Sequence, residues 1–366
     1  MIPLQNSKTS RRRVAWALSL ATVLSCLAAA THAQSLKKIT LVQMHPVIGV
    51  GEDIFLYAVP KRLGYFQAEG LEVEAQNAQN GMVAAQVLQS NGAQVGTTAP
   101  EAIMATREQG GDLVAFHGLK RNPGTFVIVL EDSPIRKIED LKSKTVGAPS
   151  FGAGGGLALK TNLSEIGIAP EQYTAIATGA GPAAVAALRS GKIAALVAWD
   201  AMVGAAENTG LKLRLVDIPY QSKLAGMTLA TSQSFAKSNP DAVAGYCRAM
   251  NKGLVFTKTN PEAAVRIFWE EFPNTKPTGL EEATAMKNSV HILKRFLEMA
   301  LYELPDDSRI GDFVTASWAN SHAAFTALGS LKGTGKATDA YTPQFLDACN
   351  AFDRAAIVAQ ANAAAK

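Results

Sequence analysis

The chain has 366 residues, 48% of them hydrophobic, enough to bury cores for about two domains. Of its 35 basic residues, Lys8, Arg11, Arg12 and Arg13 lie in the first 33, which hold no acid, leaving 31 basic against 31 acidic residues in the remainder. That balance excludes the charge footprint of a nucleic-acid binder or of a protein held on an anionic membrane surface.

The N-terminus reads as an export signal. Ser10-Arg11-Arg12-Arg13 is its charged part, Val14 to Leu24 is an apolar run too short to span a bilayer, and Thr31-His32-Ala33 offers small residues for cleavage after Ala33. Arg11-Arg12 as a twin-arginine signal is poorly followed by Val14-Ala15, and Cys26 as a lipoprotein site is poorly preceded by Leu24. No later apolar run is long enough for a membrane span. Cys247 and Cys349 remain after cleavage. An exported pair permits one disulfide, and two buried thiols in C-terminal helices fit equally well. Their spacing suits no zinc site.

In chain order, residues 39–43 form a strand, followed by a loop from His45 to Gly51. Residues 52–63 predict a helix with acids early and Lys61 and Arg62 late, where Pro60 should end or kink it. Glu52 and Asp53 read as its caps. Residues 71–75 alternate as a strand, 82–88 are helical, 95–98 end a strand, 100–107 form a helix opened by proline, and 113–116 are a strand. This rhythm argues for a mostly parallel sheet with helices on both faces. Residues 126–130 form a further strand, and the turn-rich Glu131-Asp132-Ser133-Pro134 reads as a crossing into a second lobe. That lobe has strands at 145–148, 174–177, 194–199 and 213–216, with helices at 156–166 and 182–189. Met227-Thr228-Leu229-Ala230 reads as the return crossing. Beyond Phe235 the pattern is helical, at roughly 240–258, 261–271, 280–303, 307–328 and 343–364.

The stretch from Thr145 to Lys160 passes from a short strand through a serine and glycine turn into a helix. Glycine lets a backbone approach a guest closely, and a helix start offers free N–H groups to an acceptor. Ligands in open α/β sheets sit beyond the carboxyl ends of strands. This rule selects His45, Val47 and Gly49; Thr97, Thr98 and Glu101; Phe116 and His117; Ser150, Phe151, Gly152, Ala153 and Gly154; and Trp199 and Asp200. Ser150 and the glycine N–H groups are donors for a sulfonate or carboxylate, or else a plain helix cap. Trp199 is a stacking wall or a core residue. Asp200 receives an amine or caps the next helix. No His-His or His-acid spacing suggests a metal.

Enzyme readings fare worse. A dinucleotide fingerprint needs glycine where Leu157 stands, and a phosphate-binding loop before Lys160 needs it at Leu159. Ala148-Pro149-Ser150-Phe151-Gly152 approaches a nucleophile elbow with Ser150 as a hydrolase nucleophile, but Ala148 replaces glycine, Pro149 suits that turn badly, and His291 and His322 lie in the helical tail.

Three segments carry a resemblance. They are Lys61-Arg62-Leu63-Gly64-Tyr65-Phe66-Gln67-Ala68-Glu69-Gly70-Leu71-Glu72-Val73-Glu74, Ile138-Glu139-Asp140-Leu141-Lys142-Ser143-Lys144-Thr145-Val146-Gly147, and the run from Ala184 to Asp200 that ends Ala198-Trp199-Asp200. In order and spacing they resemble the periplasmic solute-binding proteins of ABC importers for nitrate, sulfonate, taurine and bicarbonate, which share a fold with NMT1/THI5-like proteins. The likeness covers about residues 38–270. Two positions depart from the family habit: Ala201 follows Trp199-Asp200 where proline is common, and Ala194 stands where an acid is common.

The resemblance implies an α/β, type II periplasmic binding protein with two lobes of parallel-rich sheets, two crossover strands and a helical C-terminal tail. Lobe one is expected at 34–130 and 226–366, lobe two at 131–225, after a leader at 1–33. The implied protein is a monomer without cofactor that closes on a small-molecule solute in the periplasm and delivers it to an ABC permease and its ATPase at the inner membrane. The leading ligand class is an aliphatic sulfonate or taurine-like molecule. An aromatic acid or thiamine-type pyrimidine comes second, because Phe116, Phe151 and Trp199 suggest a flat pocket. A ligand-presenting sensor uses the same fold. A pyrimidine synthase of the fold bears a cysteine run absent here.

Overall fold

A computed structural model describes residues 1, 35–152, 154–300 and 309–364. The expected leader, the Cys26 site and Ala153 therefore fall outside the described residues, Met1 apart. The chain divides into Met1–Leu36 and Lys37–Lys366, and the strands belong to the second.

Two five-stranded mixed sheets organise this unit. The first contains β1 (Lys37–Gln43), β2 (Leu71–Asn77), β3 (Val95–Thr98), β4 (Leu113–Gly118) and β10 (Thr228–Ser232), in the order β2-β1-β3-β10-β4. Strands β1, β2 and β3 are parallel; β10 runs antiparallel between β3 and β4. The second contains β5 (Thr125–Leu130), β6 (Thr145–Ala148), β7 (Thr174–Ala177), β8 (Ala195–Trp199) and β9 (Leu213–Val216), in the order β7-β6-β8-β5-β9. There β5 is the antiparallel strand, paired with β8 and β9.

This topology moves both expected crossings. Residues 125–130 hydrogen-bond into the second sheet, so the first crossing lies between Gly118 and Thr125 rather than after Leu130. Residues 228–232 are a sheet-one strand, so the return lies between Val216 and Thr228. The two connections touch backbone to backbone. The Leu119 and Lys120 N–H groups donate to the Met227 carbonyl at 2.9 and 3.0 Å. A Cβ on Gly226 would lie 2.1 Å from the Asn122 carbonyl oxygen, so only glycine fits there.

Ile39, Leu41 and Val42 of β1 are buried because neighbouring strands and helices cover both of its faces. The Pro240–Thr259 helix turns Val243, Tyr246, Cys247, Met250 and Leu254 inward at helical spacing. Tyr246 stacks on Phe66 with centroids 5.6 Å apart. The last part of the tail packs on the first sheet. Tyr341 bridges Ala115 beside β4, and Phe345 meets Phe116 edge-on at 6.2 Å. Cys247 and Cys349 form a disulfide with Cα atoms 5.2 Å apart. The expected helix at 343–364 is broken into Leu346–Cys349 and Arg354–Ala363, the second capped by Asp353 accepting from the Ala356 N–H.

The Glu282–Ala300 helix reaches the second sheet by lying across the Asp200–Glu207 helix. Gly204 permits the crossing, since a Cβ there would sit 3.0 Å from the Ile292 Cα. The Glu207 carboxylate accepts from Arg295 Nε at 2.9 Å and from His291 Nε2 at 2.8 Å.

Candidate functional site

The carboxyl ends of β1, β3, β4, β6 and β8 carry the polar residues of interest. The loop after β1 is held by its own side chains. Asn77 at the end of β2 donates to the His45 carbonyl at 3.0 Å, and the Thr97 hydroxyl accepts from the Met44 N–H at 2.8 Å. His45 Nε2 stands 3.7 Å from a carboxylate oxygen of both Glu52 and Asp53. Asp53 is 2% exposed. Its carboxylate accepts from the Gly49 N–H at 2.8 Å and from the Gln43 side-chain amide, while Gln43 Oε1 is buried without a partner. Burial drives the Asp53 carboxyl up to about 6, and the Glu52 charge adds to the rise; His45, the Gly49 N–H and Gln43 oppose it. Asp53 thus makes no cap bond to the helix after it, contrary to the capping role expected from sequence. Residues 52–62 run as one continuous helix whose middle, Ile54–Ala58, is a π-turn, and Pro60 lies inside it in the segment Val59–Arg62 that follows.

In the second sheet the residues after β6 form a turn. The Ser150 hydroxyl accepts from the Gly152 N–H at 3.2 Å, closing a serine turn ahead of the Gly154–Glu165 helix. Gly156 packs hard on that turn: a Cβ there would lie 1.8 Å from the Ser150 carbonyl oxygen. Gly154 takes φ +57° with open space at its Cβ position. Trp199 at the end of β8 is 40% exposed and is not a core residue. Asp200 opens the next helix, accepting from the Ala201 N–H at 2.8 Å.

Two contacts tie the crossing region and the two sheets together. Lys120 Nζ lies 2.6 Å from Asp200 Oδ2, both side chains are buried, and the ammonium sits 4.8 Å from the Phe296 ring centroid. Burial drives the Asp200 carboxyl up and Lys120 holds it back; Asp200 and Glu52 together keep the Lys120 proton in place against burial. Gly51 brings the first loop to the same ring, its Cβ position 3.5 Å from Phe296 Cδ2. The second is electrostatic: the Glu101 carboxyl, in the first turn of the Pro100–Glu108 helix, feels its own N–H and the Gly154 N–H at the start of the Gly154–Glu165 helix. Burial pushes its carboxyl up and those N–H groups pull it down.

The other sequence-selected residues fall into distinct settings. Thr97 and Thr98 are fully buried, and the Thr98 hydroxyl donates to the Gly81 carbonyl at 3.0 Å. Phe116 is fully buried in the first core, edge-on to Phe345. His117 is buried with Nε2 3.0 Å from Asn251 Oδ1, which is a structural contact. Val47 is 73% exposed, and Phe151 is partly buried against the second core. Gln43, Lys120 and Phe296 were not selected from sequence. A glutamine closing an apolar strand and a lysine just after another are visible signals; nothing local marks Phe296. Among the described residues Ser150 has no histidine hydrogen-bonded to it, and no group of three or more His, Cys, Asp or Glu could hold a metal ion. No described helix is long and apolar enough to cross a membrane.

A family model described as NMT1/THI5 like matches residues 53–264. The riboflavin-binding protein RibY of Chloroflexus aurantiacus is 23% identical over 299 residues, covering 79% of this chain and 81% of the relative. A solved protein of Bordetella bronchiseptica superposes with a TM-score of 0.62 at 20% identity, over 86% of this chain and 96% of the other. The alkanesulfonate-binding protein SsuA of Xanthomonas axonopodis, solved with MOPS, gives 0.59 at 15% identity, over 83% and 98%. The strand orders and these neighbours give one fold, the type II periplasmic binding protein expected from the three sequence segments. Because the family model spans more than half of its length, the chain belongs to the NMT1/THI5-like family.

Proposed function

We propose that this protein is the periplasmic solute-binding subunit of an ABC importer, working as a monomer. It closes two lobes over a small polar organic molecule and passes it unaltered to a permease and its ATPase at the inner membrane. The observation that supports a particular chemistry is the acidic edge of the site. Glu52 acts electrostatically on Asp53 and on the Lys120–Asp200 pair, so this edge carries three carboxylates against one lysine and His45. Such an edge repels a bare anion and attracts an amine or a donor-rich group.

Within the sulfonate class this favours a taurine-like zwitterion over a simple alkanesulfonate. The amine faces His45, Glu52 and Asp53, and the sulfonate faces the Ser150–Gly154 turn. A second reading is a flat donor-bearing ring, such as a thiamine-type pyrimidine or an aromatic acid. The exposed Trp199 favours it, as does the likeness to a protein named for riboflavin. A thermal-shift panel of taurine, ethanesulfonate, riboflavin, a thiamine pyrimidine and benzoate separates the readings. A true solute raises the melting temperature by mass action. Stabilisation by ethanesulfonate and not by taurine would remove the acidic edge from the argument.

A further inference from the structure

The recess after β1 holds more acceptors than donors. His45 Nδ1 lies 2.9 Å from the Val47 carbonyl oxygen, which can only accept, so Nδ1 carries the hydrogen and the neutral ring presents Nε2 as a bare acceptor. The Asn77 amide does not compete for Nδ1, since it lies nearer the His45 carbonyl, at 3.0 Å against 3.4 Å. His45 Nε2 is buried without a hydrogen-bond partner among the described residues and faces acceptors only, Glu52 Oε1 at 3.7 Å and Asp53 Oδ1 at 3.7 Å. Asp53 Oδ1 takes the Gln43 amide nitrogen, which leaves Gln43 Oε1 on the same planar amide, also unpartnered, in a residue 1% exposed. Lone pairs buried without donors are costly, and native structures rarely leave them so. Burial raises the Asp53 carboxyl to about 6 against the pull of His45, the Gly49 N–H and Gln43, as expected where positive charge is short. Gln43 and Asp53 form the floor of the recess. His45 and Glu52, with side chains 25% and 18% exposed, form its rim and are reachable from outside.

We infer that this recess is a subsite for a primary ammonium group, with Gln43 Oε1, His45 Nε2 and the Glu52 and Asp53 carboxylates as its acceptors. A primary ammonium brings three N–H donors and no acceptor. One nitrogen at about 2.9 Å from each partner fits over acceptors 3.7 Å apart. A trimethylated nitrogen carries the same charge but no N–H, so it leaves every lone pair unmet and adds bulk. A bare anion meets lone pairs alone. Gln43 is uncharged, so it responds to N–H groups and not to positive charge, which makes it a specificity residue. The inference deepens the placement of the amine proposed above and rests on it. Carboxylates alone admit any cation, whereas unpaired lone pairs select a primary amine.

The test is calorimetry on the full chain with taurine and β-alanine, the N-methyl and N-trimethyl counterpart of each, ethanesulfonate and riboflavin. Wild type carries the test by itself, so it survives a variant that fails to fold. At least one primary amine is expected to bind, its N-methyl counterpart about tenfold more weakly and its N-trimethyl counterpart about a hundredfold more weakly. Gln43→Met keeps the length of the side chain and removes the acceptor. It should weaken the primary amine about tenfold and leave the trimethylated compound unchanged, with the melting temperature as the check on folding. Equal binding of primary and trimethylated amines by wild type overturns the inference, as does unchanged primary-amine affinity in folded Gln43→Met. Binding of ethanesulfonate or riboflavin with no primary amine bound also overturns it, and leaves the reading of a solute cleft standing. Failure of the whole panel counts against both.

Discussion

Replacing Asp53 by asparagine should stabilise the protein at neutral pH while impairing its site. The Asp53 carboxyl is raised from 3.8 to about 6, chiefly by burial. The folded protein therefore holds this proton more tightly than the unfolded chain does. Folded and unfolded states both carry it below about pH 4; as pH rises through 6 the folded state must bury a charge, and stability falls. The difference amounts to about 3 kcal/mol at pH 7. Asparagine needs no ionisation, and the local bonds accommodate it. Its Oδ1 still accepts from the Gly49 N–H, and a flip of the Gln43 amide offers the orphaned Oε1 to the new NH2 group. With an unfolding entropy of roughly 0.7 kcal/mol/K for a chain of this length, the gain is about 4 °C. Thermal or urea unfolding of both proteins from pH 4 to 8 is the assay. The comparison must be a difference, because His117, lowered to about 4 by burial, loses stability as pH falls over the same range. A stability difference that does not grow between pH 4 and 7 refutes the reasoning, as does a variant less stable at both ends. Taurine affinity should fall in the same variant, a stability gain at the expense of function.

Trp199→Ala should leave the melting temperature almost unchanged, since the indole is 40% exposed, but weaken solute binding by about 1–3 kcal/mol if the ligand covers it; calorimetry beside thermal unfolding checks both halves. Gly156→Ala should dismantle the Ser150 turn and abolish binding, because its Cβ would fall 1.8 Å from a carbonyl oxygen, whereas Gly154→Ala, with open space, should cost only about 1 kcal/mol from its left-handed φ. Equal effects at the two glycines in thermal unfolding would contradict this. Replacing both Cys247 and Cys349 by alanine opens a closure of 102 residues and should cost about 4–5 kcal/mol, read by chemical unfolding.

The strands were legible because alternation and flanking turns mark them locally. Their sheet membership was not. Val127, Ile128 and Val129 are buried on both faces, and such a run reads the same in either lobe. Residues 227–230 read as a crossing because nothing in them reveals that β3 and β4 lie on either side. In the site, the strand-end rule reached His45, Glu101, Ser150, Trp199 and Asp200. Partners were another matter. The amine expected at Asp200 belongs to Lys120, 80 positions away. The same spacing of residues is compatible with a donor waiting for a guest and with one already engaged at home.

The antiparallel strand Thr228–Ser232 separates two neighbours that were synthesised long before it. Until it arrives, β3 and β4 have no middle to pair with, and the Phe345 and Tyr341 that finish this region come later still. A nascent chain delivered from its N-terminus cannot complete its first lobe early; long-range pairing of this kind is slow. The interruption thus delays completion of the first sheet until residue 232 is available, and its cover by Tyr341 and Phe345 until close to the end of the chain.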